Sequence, residues 1–247
     1  MRTMLGVPIS VNTDLPTMDL LDSRFEHGEQ TVVAFANAHT LNVACRDENF
    51  RTVLCKSLVL NDGVGVDIAS LLLFGKPFPQ NLNGTDFVPF YLAQTRHQFR
   101  IFLLGGNPDI AERASAHFTR QYRQHQIAGW QHGYFAGEDE ARIVAAIQQA
   151  KADVVLVALG NPRQELWLAQ NLGATGARLG FAVGGLFDFV AGKSHRAPEW
   201  IQSARLEWAF RLLQEPVRLS RRYLVGNPLF VLRIIGQRFF RPQARFG

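Results

Sequence analysis

The apolar run Ala152-Asp153-Val154-Val155-Leu156-Val157-Ala158 passes straight into Leu159-Gly160-Asn161-Pro162-Arg163-Gln164-Glu165, and a helical pattern, Leu166 to Gln170, starts at once. A short apolar run without alternation reads as a strand buried on both faces, so helices must cover it. Strand, tight turn and helix in immediate succession belong to a parallel sheet with helical crossovers. The turn also has a chemical use. A chain turning through glycine into a proline-started helix presents free backbone N–H groups beside the positive end of the helix dipole. Arg163 and Gln164 add side-chain donors. Such a turn suits a phosphate or a sugar hydroxyl, although an ordinary strand-to-helix turn has the same outline.

A second unit repeats the pattern. Arg100 to Leu104 reads as a strand, Gly105-Gly106-Asn107-Pro108-Asp109 as its turn, and Ile110 to Tyr122 as its helix. Further strands are predicted at Thr31–Phe35, Ser57–Leu60, Gln126–Trp130 and Arg178–Val183. Helices are predicted from Ala38 to about Lys56, and over Val64–Phe74, Thr85–Gln98, Glu138–Lys151 and residues 162–171. This alternation predicts a Rossmann-like α/β fold, a mostly parallel sheet sandwiched by helices. After Pro198 the pattern is only helical. The division expected is an α/β domain over 1–198 and a C-terminal helical appendage over 199–247, and 247 residues suffice for both.

The appendage carries the charge. Residues 205–247 hold nine arginines against Glu207 and Glu215, a net +7; the whole chain is +5, which leaves −2 for the body. Trp208, Phe210, Tyr223, Leu229, Phe230, Ile234, Ile235, Phe239 and Phe240 are interleaved with these arginines. Basic helices with apolar faces suit an anionic membrane surface, and equally a homo-oligomer contact or nucleic acid. No stretch approaches the ~18 uninterrupted apolar residues of a spanning helix, and the N-terminus shows no apolar core of a signal peptide. Cys45 and Cys55 have no metal-ligand spacing and suggest a reducing compartment.

In open parallel sheets, ligands bind outside the carboxyl ends of the strands. Four places qualify: Asn37 with His39, Asp62 in Asn61-Asp62-Gly63-Val64-Gly65, and the two Gly-rich turns, Gly105-Gly106 and Gly160-Asn161 with Gln164; the last predicted strand ends at Gly184-Gly185. No full G-x-G-x-x-G fingerprint and no P-loop lysine accompanies them, so none specifies a nucleotide alone.

Taken in order, the pieces resemble the bacterial WecG/TagA/CpsF glycosyltransferases, glycosyltransferase family 26. The segments that carry the resemblance are Phe35-Ala36-Asn37-Ala38-His39, Asn61-Asp62-Gly63-Val64-Gly65, Asn83-Gly84-Thr85-Asp86, Phe102-Leu103-Leu104-Gly105-Gly106 and Gly160-Asn161-Pro162-Arg163-Gln164-Glu165. Val183-Gly184-Gly185-Leu186-Phe187-Asp188, Gly192-Lys193-Ser194-His195-Arg196-Ala197-Pro198, and Glu207-Trp208 through Arg211, Glu215-Pro216, Arg218 and Arg221-Arg222 complete the series. The resemblance implies an inverting transferase that moves a sugar from a UDP-sugar to a polyprenyl-diphosphate-linked saccharide, peripheral to the cytoplasmic face of the inner membrane. It implies Asp62 as general base, Asn37 beside it, Gln164 in the donor site, and Arg211, Arg218 and Arg221 delivered by the tail. Two positions depart from the pattern: Phe35 stands where some members carry Thr, and Asn81 where many carry Arg. These departures are most similar to the exopolysaccharide glucosyltransferases, which makes glucose the expected sugar and an N-acetylmannosaminyl or N-acetylmannosaminuronyl group the alternative.

The chemistry fits the residues. Displacement at an anomeric carbon needs a base for the acceptor hydroxyl and stabilisation of the departing diphosphate. Arginines and helix N-termini can supply the latter. No Asp-x-Asp occurs, so no metal and no cofactor beyond the donor substrate is expected. The donor pocket is assigned to Gly105, Gly106, Gly160, Asn161, Gln164, Gly184 and Gly185. A nucleotide-dependent oxidoreductase would require a complete dinucleotide loop. A nucleic-acid-binding protein using the basic tail would leave the polar strand ends unexplained.

Overall fold

The computed structural model describes residues 1–194, 197–198, 201 and 207–240, without the side chains of Arg218 and Phe240. Six parallel strands form the central sheet: β3 (Thr31–Ala36), β4 (Leu58–Asn61), β5 (Arg100–Gly105), β6 (Gln126–Gln131), β7 (Val154–Ala158) and β8 (Leu179–Ala182), in the order β4-β3-β8-β7-β5-β6. A separate antiparallel hairpin, β1 (Arg2–Met4) and β2 (Val7–Ile9), precedes them. The expected Rossmann-like α/β fold is present.

The period of two along each strand explains the layering. Val33 and Phe35 face a core with Leu60, Ile101, Leu103, Leu156 and Phe181, while Ala34 and Ala36 face the opposite side. The first core is closed by α1 (Asp14–Glu26), α5 (Gly84–Gln94), α6 (Pro108–Gln121) and α9 (Leu186–Val190), through Leu21, Tyr91, Phe118 and Phe187. The other side is covered by α2 (Ala38–Ala44), α3 (Glu48–Lys56) and α4 (Val64–Phe74) at one end, and by α7 (Glu140–Gln149) and α8 (Arg163–Thr175) at the other. Both faces are dry, which is why the strands read as unbroken apolar runs.

One expected element needs correction. The single helix predicted from Ala38 to Lys56 is two, because Asp47 leaves helical geometry and its side chain accepts the Phe50 N–H at 2.9 Å, starting α3 afresh. The tail is a succession of helices, as expected. It comprises α10 (Glu207–Gln214), α11 (Pro216–Ser220), a π-helical stretch Arg221–Gly226 and α12 (Asn227–Phe240). Glu215, at φ −133° and ψ 62°, breaks the run, and Pro216 opens the next helix. The tail also belongs to the core. Phe230 and Ile234 of α12 are buried with Leu41, Val66 and Ala69, Gln237 bonds Leu5 N and Thr3 O, and Arg233 bonds the Asn42 carbonyl and side chain.

Candidate active site

The loops leaving β3, β4, β5, β6, β7 and β8 surround one cleft of about 1110 Å³ at the carboxyl edge of the sheet. Asn37, Asp62, Gly106, Gly160, Asn161, Gln164, Gly184, Gly185 and Arg211 all line it. A cleft of this size holds a nucleotide-sugar.

Asn37 caps α2: its Oδ1 accepts the His39 and Thr40 N–H groups, each at 3.1 Å. Capping fixes the side chain, so that Nδ2 donates to Asp62 Oδ2 at 2.9 Å. The Asp62 backbone is fixed as well, since its N–H donates to Ala36 O. The next N–H, of Gly63, donates to Asn81 Oδ1 at 2.9 Å. Asn81, at the position where many relatives carry arginine, therefore clasps the Asp62 loop. Phe35 lies beneath Gly84, where any Cβ would meet its ring at 3.0 Å. Asn83-Gly84-Thr85-Asp86 is a helix start, with Asn83 Oδ1 accepting the Asp86 N–H.

The glycine turns serve two different purposes. Gly105 sits at φ +133°, and a Cβ there would fall 2.3 Å from the Ala158 carbonyl oxygen. It permits β5 and β7 to end side by side, and it does not line the cleft. Gly185 does line the cleft, and a Cβ there would meet the Arg211 guanidinium at 3.0 Å.

The Gly160–Glu165 turn departs from the expectation of free donors facing a ligand. Asn161 Nδ2 and Gln164 Nε2 both donate to Glu165 Oε1, at 3.0 and 3.1 Å. Gln164 also donates to Ala182 O, and its Oε1 accepts the Gly184 N–H. It is buried and ties the β7 turn to the β8 turn. An internal carboxylate thus takes these two side-chain amides, while Gly160, Asn161 and Gln164 still line the cleft. Glu165 is 1% exposed, and burial pushes its carboxyl above the usual range against the opposing effect of those bonds. Its Oε2 and Asn161 Oδ1 are buried without a hydrogen-bond partner among the described residues.

The tail contributes Arg211, whose guanidinium lies 5.2 Å from the Phe189 ring centre. Arg222 lines the cleft, whereas Arg221 is exposed and does not. Consecutive helical residues point about 100° apart, so Arg222 can face the cleft while Arg221 faces solvent, at the start of the π-helical stretch. The Arg218 side chain, together with His195 and Arg196 of the Gly192–Pro198 segment, lies outside the described residues. Burial, reinforced by Arg222, lowers the His39 imidazole to about 4, so it is neutral at pH 7. Asp188 and Lys193 pair at 3.3 Å on the cleft wall. Sequence reasoning gave no role to Arg222, to Glu165, or to Tyr134 and Phe135, which line the mouth beside Arg163. The run Gly133-Tyr134-Phe135-Ala136-Gly137 after a strand was an available signal.

The model of the WecG/TagA/CpsF glycosyl transferase family matches residues 2–244. The chain belongs to this family. The family match extends through the body and across α12, so the tail is part of the family pattern. Over 238 residues the chain is 28% identical to the N-acetylglucosaminyldiphosphoundecaprenol N-acetyl-beta-D-mannosaminyltransferase of Bacillus subtilis (strain 168), covering 95% of this chain and 91% of that protein.

Proposed function

We propose that this glycosyltransferase moves a hexosyl group from a UDP-sugar to a saccharide carried on a polyprenyl diphosphate, with inversion at the anomeric carbon. The observation that carries the reading is the Asn37–Asp62 pair on the wall of a cleft that also receives Arg211 and Arg222. Asp62 takes the proton of the acceptor hydroxyl as its oxygen bonds to the sugar C1. The C1–O bond to UDP breaks, and the leaving diphosphate meets Arg211 and Arg222. Arg218 and Arg221 are kept as proposed partners of the diphosphate on the resemblance alone, Arg221 standing exposed outside the cleft.

We read the transferred sugar as N-acetylmannosamine, the alternative of the sequence reading, because the B. subtilis relative is named an N-acetyl-beta-D-mannosaminyltransferase, and UDP-N-acetylmannosamine is then the donor to test. Glucosyl transfer is the second reading, supported by Phe35, whose apolar ring lines the cleft where some members carry a threonine hydroxyl. Among the described residues no helix is long and apolar enough to cross a membrane, and the basic tail suits peripheral attachment at the cytoplasmic face. Radiolabelled UDP-N-acetylmannosamine and UDP-glucose, each offered with N-acetylglucosaminyl- and glucosyl-diphosphate lipid, test the reading. Inverted product from the first donor is expected, with activity undiminished in EDTA. Transfer from neither donor, or retention of configuration, refutes the assignment; a strict requirement for an added divalent ion refutes the metal-free step.

A further inference from the structure

Helix α4 carries apolar side chains on its outer face as well as its inner one. It leaves the Asp62-Gly63 turn and packs Val66, Asp67, Ala69 and Ser70 inward, two of them polar, while Ile68, Leu71 and Leu72 point outward. Spacings of three and four place these three on one helical face. Ile68 and Leu71 are 50% and 52% exposed. A crossover helix of an α/β body normally turns polar side chains outward, and a large contiguous apolar face on the surface of a monomer marks an interaction site.

The face continues on the neighbouring helix. α12 packs beside α4, and the Arg238 guanidinium reaches the Leu72 carbonyl. Phe230 and Ile234 turn inward, leaving Leu232, Ile235 and Phe239 outside. Charge selects the occupant. Residues 221–240 hold no acidic residue, Arg221 and Arg238 are exposed, with Arg238 at the seam between α12 and α4, and the one carboxylate of α4, Asp67, is buried. Pairing this face with a second copy about a two-fold axis would set arginine against arginine. An anionic bilayer accepts both the aliphatic side chains and the cationic rim.

We propose that α4 and α12 together form the bilayer-facing surface, so that the α/β body itself, and not only its basic tail, seats on anionic lipid. The Asp62 loop, at the start of α4, then stands at the membrane interface. This extends the proposed use of a lipid-linked acceptor, yet its test needs neither donor nor acceptor, so it can fail while sugar transfer stands.

The full chain and its Leu71→Glu and Leu71→Gln variants are co-sedimented with vesicles of phosphatidylglycerol and phosphatidylcholine, and with phosphatidylcholine alone. Wild type should bind the anionic vesicles. Leu71→Glu, with the tail intact, should bind them about tenfold more weakly, and Leu71→Gln by a smaller factor. Melting temperature and far-ultraviolet spectra establish that both variants are folded, and an exposed position makes that the expected result. Unchanged vesicle binding by Leu71→Glu overturns the proposal. So does sedimentation velocity showing a wild-type dimer that Leu71→Glu dissolves while vesicle binding persists, since the face would then belong to a second copy.

Discussion

Asp62 and Glu165 are two carboxylates of one cleft with opposite surroundings. Asp62 stands on the wall, held by a single amide from Asn37. Glu165 lies beneath the floor, receives two side-chain amides, and is pushed toward its neutral form by burial. The first is fitted to accept a proton from a substrate, the second to hold Asn161 and Gln164 in place. Asp62→Asn keeps the shape and removes the proposed base, so turnover should fall about 10²-fold or more while UDP binding by calorimetry is retained; near-normal turnover would exclude Asp62 as base. Glu165→Gln preserves an acceptor for both amides, whereas Glu165→Ala removes it. The alanine variant should lose about tenfold to 10²-fold in kcat/KM and the glutamine variant much less. Equal losses in the two would show that a charged carboxylate is required. His39 offers a third measurement. Its lowered value means that the unfolded chain takes up a proton between pH 6.5 and about 4 that the folded chain refuses. Stability from this group is complete above pH 6.5 and declines as pH falls through that window. Arg222→Gln removes the smaller of the two causes, so the His39 midpoint in an NMR titration should rise part of the way toward 6.5; a fixed midpoint would mean Arg222 does not face it. Asp62 and Asn37 were legible in the sequence, as polar residues at the ends of apolar strands. The buried station of Glu165 was not, because it depends on the β8 turn arriving beside the β7 turn.

At the scale of elements, legibility followed periodicity. The parallel strands and their crossover helices had strong apolar runs and were found. The hairpin β1–β2 has strands of three residues, too short to show alternation. Helix α1 buries Thr17, Leu21 and Asp22, and Asp22 accepts the Tyr91 and Thr95 hydroxyls at 2.9 and 2.8 Å. A helix whose buried stripe is mostly polar gives no apolar period to read. The π-helical stretch was equally hidden, since nothing in the apolar pattern marks it, and which of Arg221 and Arg222 reaches the cleft depends on how the tail is docked. α12 has the reverse history: its apolar content was visible, but the sequence could not divide it between core and membrane. The structure sends Ile234 to the core at 1% exposure. Ile234→Ala should therefore cost about 2–5 kcal/mol of unfolding free energy in urea titration, the range for a large aliphatic truncated in a packed interior. Ile235→Ala, one residue on and outward-facing, should cost less than about 1 kcal/mol. Similar costs for the pair would contradict the orientation of the helix.

The whole molecule is a sheet that brings distant chain segments to one edge and a tail that closes over it. Register does the first: Val33 pairs with Phe181 and Phe181 with Leu156, so the turn after β3 ends level with those after β7 and β8 although more than a hundred residues separate it from them. The tail does the second, with Arg211 and Arg222 on the cleft and Phe230 and Ile234 in the core. A chain ending before Arg205 tests both roles at once. The sequence alone suggests that this cut leaves an intact body and abolishes membrane attachment. The packing argues otherwise. Removing Phe230 and Ile234 uncovers apolar surface on α2 and α4, at about 1.5–3 kcal/mol for each buried side chain lost, which corresponds to a melting temperature lower by roughly 10 °C. Transfer should nearly vanish, because the arginines that meet the diphosphate are gone. Vesicle binding should weaken with the loss of +7 of charge, yet a remainder should persist through Ile68, Leu71 and Leu72, and it should disappear when Leu71→Glu is added to the truncated chain. Scanning calorimetry, sugar transfer and co-sedimentation on the same truncated preparation separate these effects. A truncated protein that melts with the full chain and transfers sugar at the full rate would remove the tail from both core and site.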